Sequence, residues 1–287
     1  MFVISLISPP QKLEPALVSS LQSAWGAVDD AVWLSAGEAA EFLVEERPGN
    51  LAEIRSELSH MRVDVNCLSA AGRRKKLLIA DMDSTMIDQE CIDELAAEAG
   101  VGDRVAKITA LAMNGELNFE EALIERVGLL RGLPSTIIDK VIQTRITLAS
   151  GGMVLVRTMA ENGARSALVS GGFVQFTDRI GRLLGFHETR ANQLIERNGV
   201  LTGDVARPIL GAEAKVDALK ALVGDTSTAI AVGDGANDLG MLKTAGLGVA
   251  MHAKPVVAAV APVRIDHCDL TSLLFLQGYA KDEFVDI

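Results

Sequence analysis

Three cysteines in 287 residues, Cys67, Cys91 and Cys268, are too far apart and odd in number for a disulfide framework, and they lack the paired spacing of a zinc site. A reducing, cytoplasmic setting is the expectation. The four histidines, His60, His187, His252 and His267, form no readable cluster. No apolar run approaches the roughly 18 residues of a membrane-spanning helix. The apolar start, Met1 to Ile7, has no basic leading region and reads as a strand rather than a targeting segment. Positive charge is in deficit: 27 Lys and Arg stand against 38 Asp and Glu, giving a net charge of -11. That balance argues against nucleic acid or a membrane surface as partner. The one basic cluster, Arg73-Arg74-Lys75-Lys76, reads as a solvated linker. Repeats and low-complexity tracts are missing too, and with 49% hydrophobic and 23% charged residues the composition is that of a globular protein. The length suits one large domain with a smaller companion.

What the chain does have is carboxylates at the ends of apolar strands. Lys76-Leu77-Leu78-Ile79-Ala80 runs straight into Asp81-Met82-Asp83-Ser84-Thr85. Ala167-Leu168-Val169 ends on Ser170-Gly171-Gly172, and Ala229-Ile230-Ala231-Val232 ends on Gly233-Asp234-Gly235-Ala236-Asn237-Asp238. All-apolar runs of this length fit strands buried on both faces of a parallel sheet, whose ligands sit at the carboxyl edge.

The pattern around these strands divides the chain. Residues 2–7, 30–35, 39–44 and 62–68 read as strands and 13–25 and 50–60 as helices, a βαββαβ order of ferredoxin-like type. This predicts a small α+β domain over 1–72 and a doubly wound α/β domain with a Rossmann-like parallel sheet over 73–287. Residues 88–148 form an all-helical insert of four short helices, placed as a cap directly after the first site strand. Gly100 and Gly115 end the first two helices, Asn118-Phe119-Glu120-Glu121 has capping-box spacing, and Pro134-Ser135 opens the fourth. Helices over 150–162, 173–184, 211–222 and 237–244 alternate with strands over 165–169, 228–232 and 247–251. Asn198-Gly199 marks a hairpin within 188–205.

Asp81, Asp83, Asp234 and Asp238 brought to one edge would repel unless a cation or a proton relieves them. Oxygen-only donors favour magnesium, which takes one or two carboxylates, keeps waters and completes its shell with phosphate, so the four are not all direct ligands. Ser170, the amides of Gly171 and Gly172, Lys215 and Asn237 suit a tetrahedral anion. Singly these residues are weak signals: Ser-Gly-Gly is a common turn, and Lys215 alone reads as a solvated charge on its helix.

Together the elements resemble the haloacid dehalogenase superfamily of phosphatases, whose four motifs match Asp81-Met82-Asp83-Ser84-Thr85, Ser170, Lys215 and Gly233-Asp234-Gly235-Ala236-Asn237-Asp238. The resemblance implies that Asp81 is the nucleophile and Asp83 the general acid and base. It also implies that Mg2+ is held by Asp81, the Asp83 carbonyl and Asp234, with Asp238 direct or through water, and that Ser170, Gly171, Lys215 and Asn237 hold phosphate. Met82 and Met86 stand where the family commonly has phenylalanine and leucine, a change that keeps apolar bulk.

Specificity is expected from the cap. Arg126 has Phe119, Ala122, Leu123, Leu129 and Leu130 at helical spacings and no carboxylate three or four residues away, so it projects from an apolar stripe. An anion that meets it, or a stem that snorkels to solvent, would satisfy it. Glu90 fits an ammonium receptor or a helix-start acid, and Met113 and Phe119 fit a closing apolar surface or ordinary core. The set is similar to the phosphoserine-hydrolysing branch of the superfamily. That likeness implies phosphoserine as substrate and a place at the end of serine biosynthesis. Phosphoryl transfer to an acceptor alcohol such as homoserine, hydrolysis of other small phosphomonoesters, and amino-acid sensing by residues 1–72, which look like an ACT-type module, stay open. Homo-oligomerisation through that N-terminal domain stays open as well.

Overall fold

The computed structural model of the chain describes residues 1–113 and 117–287, apart from the side chains at 110, 112 and 113. Its N-terminal unit holds β1 (Phe2–Ile7), α1 (Pro15–Trp25), β2 (Val32–Ser35), β3 (Ala39–Val44), α2 (Leu51–Leu58) and β4 (Asp64–Ser69). These strands form an antiparallel sheet in the order β2-β3-β1-β4, the ferredoxin-like arrangement. Period-two alternation puts Ile4, Leu6, Phe42, Val44 and Val65 under the helices with Val18, Leu21 and Leu58. Pro15 starts α1 where its missing N–H costs nothing, and Gly26 ends it at φ 62.

The larger unit begins with β5 (Leu77–Ala80). The cap helices follow: α3 (Cys91–Glu98), α4 (Gly102–Met113), α5 (Phe119–Gly128) and α6 (Thr136–Thr144). Asn118 caps α5 in a reciprocal box with Glu121, as the sequence pattern predicts. Gly100 closes α3 at φ 73, whereas Gly115 lies outside the described residues. Both strands of the hinge run side by side: Asp88 N–H donates to Thr147 O at 3.1 Å and Ala149 N–H to Met86 O at 3.0 Å.

After the cap come α7 (Gly152–Glu161), β6 (Arg165–Phe173), α8 (Val174–Leu184), β7 (Glu188–Asn192), β8 (Leu194–Arg197), β9 (Val200–Val205) and α9 (Ala212–Leu222). The chain finishes with β10 (Ala229–Gly233), α10 (Leu239–Thr244), β11 (Leu247–Met251), α11 (Pro255–Ala258), β12 (Val263–Ile265) and α12 (Ser272–Leu276). Six strands form an all-parallel sheet in the order β12-β11-β10-β5-β6-β7. Alternate residues feed two cores. Leu78, Ala80, Leu168, Ile230 and Val232 pack under α7, α8 and α12, while Leu77, Ile79, Val169, Ala229 and Ala231 pack under α9 and α10. Strands apolar at every position therefore follow from burial on both faces. No helix among the described residues is long and apolar enough to cross a membrane.

One local expectation holds with added detail and one needs correction. The hairpin marked within 188–205 is formed by β8 and β9, while β7 before it joins the main sheet as its edge. Its turn, Asn198 at φ 54 and Gly199 at φ 77, is the one the sequence marks. The strand expected over 165–169 extends to Phe173, with an irregularity after Val169 that lets Ser170, Gly171 and Gly172 leave the ladder.

Candidate active site

Leaving β5, the chain is joined on one side by β6 and then β7, and on the other by the later β10, β11 and β12. The crevice at this change of direction is where an open α/β sheet binds ligands. Asp81 follows β5 there, its N–H bonded to Val232 O of neighbouring β10 at 3.0 Å. Asp234 follows β10, and Ser170 lies within β6 on the other side. The three strand ends singled out in the sequence thus converge.

Asp81 is 4% exposed. Its Oδ1 accepts from Met82 N–H at 2.8 Å and lies 2.7 Å from Lys215 Nζ. The same ammonium is 2.6 Å from Asp238 Oδ1. Lys215 is a buried cation, not a solvated one, and α9 brings it to the sheet edge from below. Burial opposes its charge, but Asp81 and Asp238 outweigh that cost and raise its pKa.

Asp83 sits across the loop. Cys91 N–H donates to its Oδ1 at 2.8 Å, and Ser170 Oγ lies 3.1 Å from its Oδ2. Burial first, then the charges of Glu90 and Asp81, push its pKa up to about 7. Ser84 between them holds φ 54, an uncommon conformation for a side-chain-bearing residue, and its Oγ donates to Glu90 Oε1 at 2.9 Å. Glu90 occupies the residue before α3 but its carboxylate makes no capping bond; it faces the crevice instead.

Several glycines are required by contact. A Cβ on Gly233 would lie 2.4 Å from Asp238 Cγ, one on Gly235 2.3 Å from Asn237 Oδ1, and one on Gly172 2.8 Å from Asp83 Oδ2. These positions let the backbone close around the acids.

The crevice encloses a cavity of about 580 Å³. Asp81, Asp83, Ser170, Gly171, Asp234 and Asn237 line its floor, and Glu90, Phe119 and Arg126 line the cap side. Phe119 spans the gap: a Cβ on Gly171 would meet its ring at 3.2 Å. Arg126 uses Nε on its own helix, donating to Ala122 O at 3.2 Å, which leaves its terminal nitrogens for the cavity. Burial lowers its pKa, with Asp93 and Glu90 acting in the opposite sense. Of the site residues singled out from sequence, Met113 is the one not placed, because its side chain lies outside the described residues.

Donor oxygens of Asp81, Asp234 and Asp238 lie within 4.8 Å of one another, an oxygen-only set that fits a hard divalent cation. Asp238 is the least available of them: it is fully buried, with Oδ1 on Lys215 and Oδ2 accepting from Gly235 N–H at 3.1 Å. Burial raises Asp234 to about 6 against the opposing pull of Lys254.

Four contributors escape the sequence reading. Thr85 Oγ1 lies 3.3 Å from Asp234 Oδ1, and Lys254 Nζ lies 3.6 Å from Asp234 Oδ2 and 3.9 Å from Glu90 Oε1. Asp93 and Thr109 line the cap side of the cavity. Lys254 had a usable signal, since it follows the carboxyl end of β11. Thr85 had one in its place inside the first motif.

Residues 78–243 match the family model described as haloacid dehalogenase-like hydrolase. The chain belongs to that family of hydrolases. This hydrolase is 42% identical to the phosphoserine phosphatase of Archaeoglobus fulgidus over 81% of its own length and 70% of that protein's. It is similar to the crystal structure of a probable phosphoserine phosphatase from Vibrio cholerae, with a TM-score of 0.80, 33% identity and coverage of 98% of this chain and 88% of that one. A structure of a phospho-aspartyl intermediate analogue of phosphoserine phosphatase matches 70% of this hydrolase and 98% of that chain, with a TM-score of 0.65 and 42% identity. The α/β core and the ferredoxin-like unit are accordingly those of a phosphomonoester hydrolase.

Proposed function

We propose that this hydrolase converts O-phosphoserine to serine and phosphate through a phosphoenzyme on Asp81. The observation that carries the reading is the buried pairing of Asp81 with Lys215 facing Asp83, whose pKa of about 7 makes it a proton donor near neutrality. Asp81 attacks phosphorus as the ester P–O bond breaks, and Asp83 gives its proton to the departing serine oxygen. Asp83, now a carboxylate, then takes a proton from water as that water attacks phosphorus and the bond to Asp81 breaks. Ser170, the Gly171 amide, Asn237 and Lys215 hold the phosphate oxygens through both steps.

A magnesium ion would be held by Asp81, Asp234 and the Asp83 carbonyl, and Asp238, whose two oxygens are already engaged, would act through water. When bound it neutralises the charge of phosphate and carboxylates. Arg126 takes the substrate carboxylate and Glu90 its ammonium, while Phe119 screens the site from water. Three free, buried cysteines support a cytoplasmic setting.

Phosphate release from a panel of phosphorylated small molecules, with magnesium supplied or chelated, tests the reading. O-phosphoserine should lead the panel, chelation should abolish turnover, and Arg126→Ala should raise KM for phosphoserine about tenfold or more while leaving esters without a carboxylate nearly unchanged. Equal loss on all esters, or transfer to an added alcohol in preference to water, would contradict it.

A further inference from the structure

Within the cavity, the cap presents more negative charge than one ammonium receptor requires. Asp93 stands three residues after Glu90, one helical turn along α3, and both line the same space. The cation facing them from α5 is Arg126, for which Asp93 is the foremost charged neighbour. No carboxylate among the described residues comes within 4.0 Å of the Arg126 guanidinium, so Asp93 is close enough to be felt but does not occupy it. Asp93 is exposed at the cap edge of the cavity it shares with Glu90, and partial burial and the charge of Glu90 raise its pKa. Lys254, the other cation among the described residues that line the cavity, reaches towards Asp234 and Glu90.

We propose that Asp93 is a specificity-determining residue: with Glu90 it forms a two-carboxylate receptor for the substrate ammonium, and it rejects phosphate esters that carry a carboxylate without one. The inference rests on the phosphoserine reading and deepens it. A single acid would tolerate a hydroxyl in place of the ammonium. Once the substrate carboxylate takes Arg126, the two acids on this turn keep only Lys254, on the Glu90 side, unless an ammonium enters, so discrimination comes from repulsion of the wrong ester as much as from attraction of the right one.

The test compares Asp93→Asn with wild type on three esters: O-phosphoserine, phosphoethanolamine, which keeps the ammonium and lacks the carboxylate, and 3-phosphoglycerate, which has a hydroxyl where phosphoserine has the ammonium. Asp93→Asn should lower kcat/KM for both ammonium esters about five- to tenfold, mainly through KM, and leave 3-phosphoglycerate unchanged or improved. Asp93→Glu should recover part of the loss, and both variants should keep the wild-type melting temperature within a few degrees. If phosphoserine and 3-phosphoglycerate fall together while phosphoethanolamine is untouched, Asp93 acts by placing Arg126 and the proposal is overturned. An equal fall on all three, or no change, overturns it as well. The wild-type row reports separately on the underlying function: a protein that does not prefer phosphoserine there fails that reading whatever the variant does.

Discussion

A carboxyl group such as Asp83 suits the proposed proton transfer because the fold makes its charge costly. Burial, Glu90 and Asp81 lift it to about 7, and burial lifts Asp234 to about 6, both well above the usual carboxylate range near 4. Each therefore takes up a proton on folding between that range and its raised value. Stability without metal should fall as pH rises through 6 and 7, where the folded protein is forced to ionise groups that the unfolded chain ionises freely. We expect the metal-free protein to melt higher at pH 5.5 than at pH 8, by an amount on the order of 1–2 kcal/mol, and added magnesium to remove most of the difference. Calorimetry with and without chelator checks this; a melting temperature that climbs from pH 5.5 to pH 8 in chelator would contradict it.

At the scale of elements, the cap is braced rather than hanging on its hinge. The β8–β9 hairpin reaches up from the core. Gly132 N–H donates to Leu201 O, Leu201 N–H to Leu133 O and Ser135 N–H to Gly199 O, each at 2.9 Å. Ion pairs of Arg207 with Glu120 and Arg179 with Asp139 add to the brace. The hairpin was legible because Asn198-Gly199 demands a tight turn, and the cap helices because Asn118 and Glu121 sit three apart. The tail of the chain was not. Strand β12 is three residues long, and α12 is buried at every position, so neither shows the polar-apolar alternation that marks an element. The site divides in the same way. Asp81, Asp83, Asp234 and Asp238 could be read because carboxylates rarely end buried strands, whereas Lys215 acquires its meaning only when α9 delivers it between two acids. Asp93 was hidden because a helix-start acid looks ordinary until the cavity is seen beside it.

Over the whole molecule, the N-terminal sheet is docked onto the catalytic one through polar contacts with backbone. Asp64, 3% exposed on β4, accepts N–H bonds from Asp266, His267 and Cys268 at 2.8, 3.1 and 3.1 Å. Asn66 pairs with both the N–H and the carbonyl of Arg264, as a neighbouring strand would. Arg73 joins Glu41 to the carbonyls of Phe275 and Leu276. Asp64→Ala strands three donors and should cost about 2–4 kcal/mol in denaturant unfolding, with kcat of the folded enzyme preserved. A loss below about 0.5 kcal/mol would mean that the docking rests on apolar contact alone. The proposed mechanism stands or falls on where phosphorus goes. Acid quenching of wild-type protein during turnover of O-phosphoserine, followed by mass analysis of its peptides, should find one added phosphoryl group on Asp81 and none in Asp81→Asn. Sustained turnover with no phosphorylated peptide, or a phosphoryl group on a different residue, would contradict it.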